Sequence, residues 1–252
     1  MAKQTHFGYE TVSADEKAGR VMGVFSSVAD KYDLMNDLMS GGMHRLWKHR
    51  MMTVAAVKRG AVVLDVAAGS GDIALGLAKK AGAFDGKGRV VLTDLNGPML
   101  LEGARRVIDH GLLPGRADCV QADGTRLPFA DDSFDVVSIA FGIRNFVDIP
   151  AGLAEFHRVL RPGGQFICLE FSHPVLPFLD VAYDAYSFNV IPLIGEWVTG
   201  DRDAYQYLVE SIRRFPDQRR FARLIEDAGF HLVRHENMTG GIVALHRGYK
   251  IA

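Results

Sequence analysis

Short apolar runs rich in β-branched residues alternate with helical patterns through the middle of this chain. Such runs predict buried strands, and the segments between them have the spacing of amphipathic helices. Strands are predicted at residues 62–66, 89–93, 118–121, 134–141 and 165–171, and helices at residues 73–80, 98–110 and 151–160. Strands separated by helices imply a parallel sheet with right-handed crossovers and helices on both of its faces.

The alternation ends after residue 172. Residues 173–216 are rich in aromatic side chains and interrupted by prolines, and we interpret them as an insertion of helices and loops over the carboxyl edge of the sheet. A helix is predicted at residues 217–228, and runs at 231–236 and 242–246 predict an antiparallel hairpin around a Thr-Gly-Gly turn. Residues 1–55 are predicted to form an N-terminal helical segment that acts as a lid. Residues 1–252 are thus expected to form a single α/β domain with seven strands.

The composition is that of an ordinary globular protein, with 48% hydrophobic and 23% charged residues. A net charge of -1 provides no global basic field, so we predict no nucleic-acid partner. No apolar stretch has the length of a signal-peptide core or a membrane-spanning helix, and we expect a cytoplasmic protein. Cys119 and Cys168 lie in apolar runs and are expected to be buried, reduced thiols.

A glycine-rich turn follows the first predicted strand, where residues 67–71 read Ala-Ala-Gly-Ser-Gly. Small residues let a ligand approach the backbone closely, and the helix that follows offers unpaired N–H groups. We therefore take Gly69, Ser70 and Gly71 as candidate ligand contacts. A tight strand-to-helix turn without any ligand has the same pattern and is the alternative.

Two aspartates follow the next two predicted strands. A carboxylate at Asp94 can accept hydrogen bonds from both hydroxyls of a ribose. Its alternative role, as an N-cap for the helix that begins near Pro98, would need a shorter spacing. Asp123, followed by Gly124, stands where a carboxylate can accept from an adenine amino group, and an ordinary turn aspartate is the alternative there.

The first turn lacks the third glycine of the Gly-x-Gly-x-x-Gly pattern of dinucleotide-binding dehydrogenases. Phe-Asp-Val-Val at 134–137 and Arg-Pro-Gly-Gly at 161–164 resemble the class I methyltransferases around their fourth and fifth strands. With the two aspartates, these features favour S-adenosylmethionine over NAD as the ligand. The resemblance implies a class I methyltransferase (Rossmann-like) fold, a seven-stranded α/β sheet that ends in an antiparallel hairpin.

Two longer segments, residues 32–47 and 158–172, resemble the signature patterns of the ubiquinone/menaquinone biosynthesis C-methyltransferase family. Shorter matches at residues 5–8, 141–145, 183–188 and 243–250 extend the resemblance over nearly the whole chain. It implies methylation of a ring carbon of a polyprenylated benzoquinol or naphthoquinol. It also implies that Ser70, Asp94, Asp123 and Gly124 contact the methyl donor. The family often has serine where this chain has Ala140, so only the backbone would serve there.

Arg144 and Asn145 follow the fourth predicted strand, beside the expected position of the transferred methyl group, and the resemblance supports them as catalytic. Arginine stays protonated and is a poor general base. We therefore expect Arg144 to stabilise a quinol oxyanion or to orient a water molecule that takes the ring proton, with Asn145 holding that geometry. A capped turn with a surface arginine is the alternative.

Three further groups of residues have two readings each. An N-terminal group either covers the donor or docks on the core: Tyr32, Asp33, Asn36, His44 and Trp47. Three residues either line a quinol pocket or complete the insertion's own core: His173, Asp184 and Tyr186. A cluster of arginines is either a solvated helix face or a contact for anionic lipid or a partner: Arg213, Arg214, Arg219, Arg220 and Arg223. Lipid contact would make the protein peripheral to the inner face of the membrane.

Other methyltransferase classes fit less well. Amide-nitrogen and DNA-base methyltransferases carry an Asn/Asp-Pro-Pro-aromatic tetrapeptide where residues 140–143 read Ala-Phe-Gly-Ile. Metal-dependent methylation needs clustered ligands, and none stands out beside Asp123, so we predict no metal. Action on another small or lipid acceptor stays open. A non-catalytic subunit of a quinone-synthesis complex is disfavoured, because suitable residues occupy the donor positions.

Overall fold

The computed structural model describes residues 4–28, 36–37, 40–112, 114–176 and 202–251. Within these ranges, an N-terminal hairpin consists of β1 (Gln4–Phe7) and β2 (Glu10–Ser13). The other strands form one sheet: β3 (Val62–Val66), β4 (Arg89–Asp94), β5 (Ala117–Gln121), β6 (Phe134–Ala140), β7 (Leu160–Phe171), β8 (His231–Met238) and β9 (Val243–Tyr249). Their order across the sheet is β5-β4-β3-β6-β7-β9-β8. The first five are parallel, and β9 runs antiparallel to β7 and β8.

The described helices are α1 (Ala14–Val28), α2 (Met43–Val54), α3 (Asp72–Ala81), α4 (Gly97–Asp109), α5 (Ile149–Val159), α6 (Arg202–Arg214) and α7 (Gln218–Asp227). Polar side chains cap α4, α5 and α7. Asn96 accepts from the backbone N–H of Met99, and Asp148 from that of Ala151. Asp217 accepts from two N–H groups in the first turn of α7. These caps satisfy donors that a helix start leaves unpaired, and they define where α4, α5 and α7 begin.

Two hydrophobic layers cover the faces of the sheet, because side chains alternate along each strand. Val63 and Ile167 belong to the layer that packs against α2 and α3. Their neighbours Leu64 and Phe166 belong to the layer on the opposite face, which α5 and α7 complete. The class I sheet and the C-terminal hairpin predicted from the sequence are thereby confirmed.

The connections from β3 and β6 diverge at the carboxyl edge of the sheet. The chain leaves β3 toward β4 on one side, whereas β6 lies on the other side of β3. Such a switch point opens a crevice outside the strand ends, which is the usual ligand site of open α/β sheets.

Several predicted details were wrong. The N-terminal segment starts as a hairpin rather than a helix, because Gly8 (φ 57°) allows the tight reversal between β1 and β2. Strand β7 begins at Leu160, since residues 163 and 164 pair with Lys250 beyond the end of β9. Cys119 is exposed, because β5 is an edge strand, while Cys168 is buried as expected.

The N-terminal group and the insertion are described only in part. Trp47 is buried and donates its indole N–H to Thr239 Oγ1 at 2.8 Å, so this residue docks on the core. His44 is buried and pairs with Asp37 at 2.8 Å. Tyr32, Asp33, Asp184 and Tyr186 lie outside the described residues. Within the described ranges, no helix has the length and apolar character needed to cross a membrane.

Candidate active site

A cleft of about 960 Å³, measured to its open mouth, lies where the strands of the switch point end. Its floor comes from β3, β4, β6 and the loop after β5, and α1 contributes the opposite wall through Ala18, Val21 and Met22. We call it the donor cleft, after the methyl donor that the sequence resemblance implies. Its size falls in the range of small-molecule sites, roughly 300–1,000 Å³. Six of the predicted contacts line it: Gly69, Asp94, Asp123, Gly124, Ala140 and Asn145.

The turn between β3 and α3 has no room for larger side chains. Gly71 (φ 83°) precedes the first turn of α3, and a Cβ atom there would lie 3.2 Å from Leu92 Cδ2. From the other side, a Cβ atom on Gly103 of α4 would lie 2.7 Å from the carbonyl oxygen of Gly69. Helix α4 therefore packs directly on the turn, and Gly71 shapes the turn without itself lining the donor cleft.

Five described residues other than glycine have left-handed backbones, and two of them belong to this site. Ala67 (φ 50°) follows β3, and Phe141 (φ 57°) follows β6. Both line the donor cleft. Such backbones cost on the order of 1–3 kcal/mol each and tend to occur at functional sites. Two of the five strained residues therefore lie at the crevice that the strand order opens.

Asp94 joins the turn to the start of α4. Its Oδ2 atom accepts from the Gly69 N–H at 2.9 Å, and its Oδ1 atom from the Asn96 N–H at 2.8 Å. Burial raises the pKa of Asp94, and these backbone donors act in the opposite direction. Because each carboxylate oxygen has a second lone pair, a residue held this way can still accept hydrogen bonds from two ligand hydroxyls.

Asp123 and Gly124 form the wall beyond β5. Asp123 Oδ1 accepts from both the N–H and the hydroxyl of Thr125, each at 2.8 Å. A Cβ atom on Gly124 would lie 2.4 Å from Cζ of Phe146. This contact brings an aromatic ring against the backbone at the edge of the cleft.

A smaller pocket of about 380 Å³ continues from the donor cleft behind the turn. It contains Ser70, which is not among the residues of the main cleft. It also contains Asp65, which sequence reasoning missed. Asp65 is 1% exposed, burial raises its pKa to about 7, and its Oδ1 accepts from Ser138 Oγ at 2.6 Å. Its Oδ2 atom has no hydrogen-bond partner among the described residues. The sequence feature that could have indicated Asp65 is an acidic residue inside the apolar run Val-Val-Leu-Asp-Val at 62–66.

The polar wall of this pocket is held by ion pairs. Lys48 Nζ donates to Asp72 Oδ2 at 2.9 Å, and Arg106 pairs with the other oxygen of the same carboxylate. Both cations are thereby engaged by Asp72, at the first turn of α3. Of the described residues in this pocket, Asp65 is thus an acid with one oxygen that makes no hydrogen bond.

A second cavity, about 1180 Å³ to its mouth, lies on the other side of a wall formed by Phe146 and Val147. Both residues line both spaces. The second cavity is enclosed by the N-terminal hairpin, α1, the start of α5, α6 and the start of α7. The two spaces are adjacent, so ligands bound in them would be neighbours.

Arg144 lines the second cavity rather than the donor cleft. Its side chain is 4% exposed, which excludes the surface-arginine alternative. Its Nη1 atom donates to Glu170 Oε1 at 2.9 Å, and the guanidinium lies 5.5 Å from the ring centroid of Phe171. Burial raises the pKa of Glu170, and the Arg144 charge opposes that rise. The cation is therefore buried with a carboxylate partner that sequence reasoning missed.

Asn145 connects the two spaces. It lines the donor cleft, and its Oδ1 accepts from the hydroxyl of Tyr207 at 3.0 Å, a residue of α6 that lines the second cavity. Burial raises the pKa of Tyr207 to about 12, so the hydroxyl stays protonated as the donor. The ring of Tyr207 stacks on Phe7 of β1 at 4.0 Å.

Other residues singled out in the sequence lie elsewhere. His173 hydrogen-bonds the carbonyl of Phe215 at 2.8 Å and lines neither space. Among the described residues, no group of three or more His, Cys, Asp or Glu side chains is placed to hold a metal ion. Arg214 and Arg220 of the predicted basic cluster line the second cavity.

Comparisons with known proteins agree with this geometry. The chain is 54% identical to a ubiquinone/menaquinone biosynthesis C-methyltransferase of Dinoroseobacter shibae, over 99% of this chain and 98% of that protein. It is 52% identical to the protein of the same name from Teredinibacter turnerae, over 98% and 97% of the two chains. A SAM-dependent methyltransferase from Aquifex aeolicus shares the fold, with a TM-score of 0.59, 18% identity, and 81% and 89% coverage. The model of the ubiE/COQ5 methyltransferase family matches residues 11–250, and this chain belongs to that family.

Proposed function

We propose that this protein transfers the methyl group of S-adenosylmethionine to a ring carbon of a polyprenylated benzoquinol or naphthoquinol. Family membership and the names of relatives at 54% and 52% identity support this reaction. The main structural support for this reaction is the donor cleft, which has carboxylates at the ends of its strands. The cleft shares one wall with a second cavity of comparable size. Such an arrangement suits a reaction between two bound molecules.

The donor contacts follow from the position of each residue. Asp94 accepts the ribose hydroxyls, and Asp123 accepts the adenine amino group. The backbone at Gly69, Gly124 and Ala140 approaches the donor closely. The observation in favour is that all five line one cleft.

The amino-acid end of the donor belongs in the smaller pocket behind the turn. Ser70 and Asp65 line that pocket, and the free oxygen of Asp65 is placed to pair with the donor's ammonium group. Gly71 contributes by shaping the turn. This assignment divides the donor between two connected spaces, with its sulfonium near their junction at Ala140 and Phe141.

The acceptor ring belongs in the second cavity, with the carbon that is methylated directed at the Phe146 wall. The bound donor supplies an electrophilic methyl group, and the protein aligns the ring carbon with it and excludes water. Arg144, held by Glu170, stabilises negative charge on a ring oxygen, and Asn145 fixes the turn beside the methyl position. Tyr207 holds Asn145 in place.

The remaining segments contribute to enclosure. Helix α1 lines the donor cleft, which supports a lid function for residues 1–55, and α6 supports a substrate-side role for residues 173–216. We propose one domain over residues 1–252, located in the cytoplasm. The cationic residues Arg214 and Arg220 at the second cavity support peripheral contact with anionic lipid at the inner face of the membrane or within a quinone-synthesis complex.

The test combines binding with turnover. Purified protein is offered labelled methyl donor and both quinol classes side by side, and products are identified by mass. Turnover of either quinol is expected, with a loss of roughly 100-fold in the Arg144→Ala variant. Near-normal turnover of a folded Arg144→Ala variant would remove Arg144 from the mechanism. Absence of donor binding to the unmodified protein would favour a non-catalytic subunit.

A further inference from the structure

Lys17 of α1 is a buried cation without a carboxylate partner among the described residues. Its side chain is nearly enclosed, at 7% exposure for the whole residue. Its Nζ atom donates to the backbone carbonyl oxygen of Phe146 at 2.8 Å. Burying an ammonium costs several kcal/mol, and one carbonyl oxygen offsets only part of this. The buried ammonium group is therefore a cost to the stability of the fold.

The place of Lys17 in the fold relates it to both spaces. Lys17 lines the second cavity, while the next residue, Ala18, lines the donor cleft. The carbonyl that Lys17 contacts belongs to Phe146, which lines both. The ammonium group therefore lies at the partition between the two bound molecules of the proposed reaction.

Among the described residues, the other charged or titratable groups lining the second cavity are His6, Arg144, Asp148, Tyr207, Arg214 and Arg220. Arg144 is held by Glu170, and Tyr207 donates to Asn145. Arg214 and Arg220 are exposed, as is His6. Asp148 accepts from the Ala151 N–H as the cap of α5. Arginine does not lose its proton in proteins, so Lys17 is the buried amine that can accept one here.

We infer that Lys17 is a catalytic residue of the methyl transfer and accepts the proton of a ring hydroxyl of the quinol. This inference rests on the proposed function. Neutral Nζ takes the hydroxyl proton, and the oxygen keeps the electron pair. That charge makes the ring carbon nucleophilic: a carbon–carbon bond forms to the methyl group as the carbon–sulfur bond breaks, and the electron pair goes to sulfur. Loss of the ring C–H proton to water then restores the aromatic ring.

The pKa of Lys17 supports this role. Burial lowers it to about 8, so a substantial fraction of the amine is neutral just above neutral pH. An exposed lysine would be almost entirely protonated there. General bases work best when their pKa lies near the working pH, and they contribute typically 10²–10⁴-fold to the rate.

The experiment compares Lys17→Met with Lys79→Met, which removes an exposed lysine from α3. We expect Lys17→Met to lower kcat for quinol methylation about 100-fold, with donor affinity by calorimetry unchanged. The kcat of the unmodified protein should rise with pH to a plateau above about 8, and Lys17→Met should lose that rise. Lys79→Met should match the unmodified protein.

Lys17→Arg separates a base from a fixed charge. The arginine keeps the positive charge but cannot accept a proton, so it should remain as slow as Lys17→Met. Near-normal kcat in either variant, an unchanged pH profile, or loss of donor affinity together with turnover would each overturn the inference. Failure of the unmodified protein to methylate any quinol would instead refute the proposed function, and the role of Lys17 with it.

Discussion

The two spaces that meet at Phe146 are built in opposite ways. The donor cleft and its side pocket lie at the ends of parallel strands and carry three carboxylates, of which Asp65 is buried, Asp94 half-buried and Asp123 exposed. The second cavity is assembled from the N-terminal hairpin, four helices and a turn, and its buried charges are cationic. This polarity matches the proposed reaction, since a sulfonium donor is positive and a deprotonated quinol is negative.

The buried cations of the second cavity also differ from each other. Arg144 has a buried carboxylate partner in Glu170, whereas the partner of Lys17 within the described part of the chain is a carbonyl oxygen. A protein is destabilised when a buried charge loses its partner. A buried charge that has no partner already lowers the stability, so its removal relieves that cost. Removing the carboxylate partner of Arg144 should therefore destabilise the fold, whereas removing the Lys17 ammonium should not.

The largest expected effect is on stability. Glu170→Gln leaves the Arg144 guanidinium buried without its partner, and we expect the free energy of unfolding to fall by about 3–5 kcal/mol. Lys17→Met should leave it unchanged or raise it by roughly 1 kcal/mol, because burial cost and one hydrogen bond are lost together. Urea denaturation measures both. Glu236→Gln is the control, since it breaks an exposed pair with Arg50 and should change little. Equal losses of unfolding free energy in Glu170→Gln and Lys17→Met would contradict the difference between the paired and the unpaired cation.

The next largest effect is on ligand affinity, which should change for the donor cleft and not for the second cavity. Asp94→Ala removes the proposed acceptor for two ribose hydroxyls, and we expect donor binding to weaken by about 3 kcal/mol, or roughly 150-fold in Kd. Calorimetry with S-adenosylmethionine measures this, with Asp109→Ala at the exposed end of α4 as the control. Quinol affinity should not change. An unaltered donor affinity would remove Asp94 from the donor site.

The smallest effect is a proton linkage at Asp65. Its pKa is about 7 in the fold against an ordinary value of 3.8. Unfolded chains release this proton first as pH rises, so the stability that Asp65 contributes is present below about pH 4 and lost toward pH 7. Pairing with the donor's ammonium should lower the pKa again. Donor binding near pH 7 is therefore expected to release a fraction of a proton.

Calorimetry in buffers of different ionisation enthalpy detects that release. The Asp65→Asn variant should bind without it and should lose the matching dependence of stability on pH. Equal proton release by both proteins would show that another group near the donor titrates, and would contradict the assignment of the small pocket to the donor's ammonium.

The donor side was largely predictable from the sequence. Asp94 and Asp123 end strands whose carboxyl ends must meet at one edge of a parallel sheet, so their convergence follows from the order of elements. Ser70 was predicted from the glycine-rich turn and the family resemblance, and it lies in the side pocket. Asp65 was missed because an acid within a strand indicates a buried polar group without saying what faces it.

The second cavity was not predictable in this way. Lys17, Arg144, Glu170 and Tyr207 are brought together from α1, the turn after β6, the end of β7 and α6. No periodicity or spacing relates them, because their neighbours come from distant parts of the chain. The N-terminal hairpin, whose Phe7 stacks on Tyr207, was itself predicted as helix.

The sequence by itself therefore determined the sheet, its switch point and the character of the donor site, since these depend on local patterns and on the topology that the patterns imply. The tertiary structure decided which cations line the second cavity and how each is compensated. That distinction depends on long-range packing, which places Glu170 against Arg144 and, of the residues that the structure describes, the carbonyl oxygen of Phe146 against Lys17. Burial without a matching charge is a property of the folded chain alone.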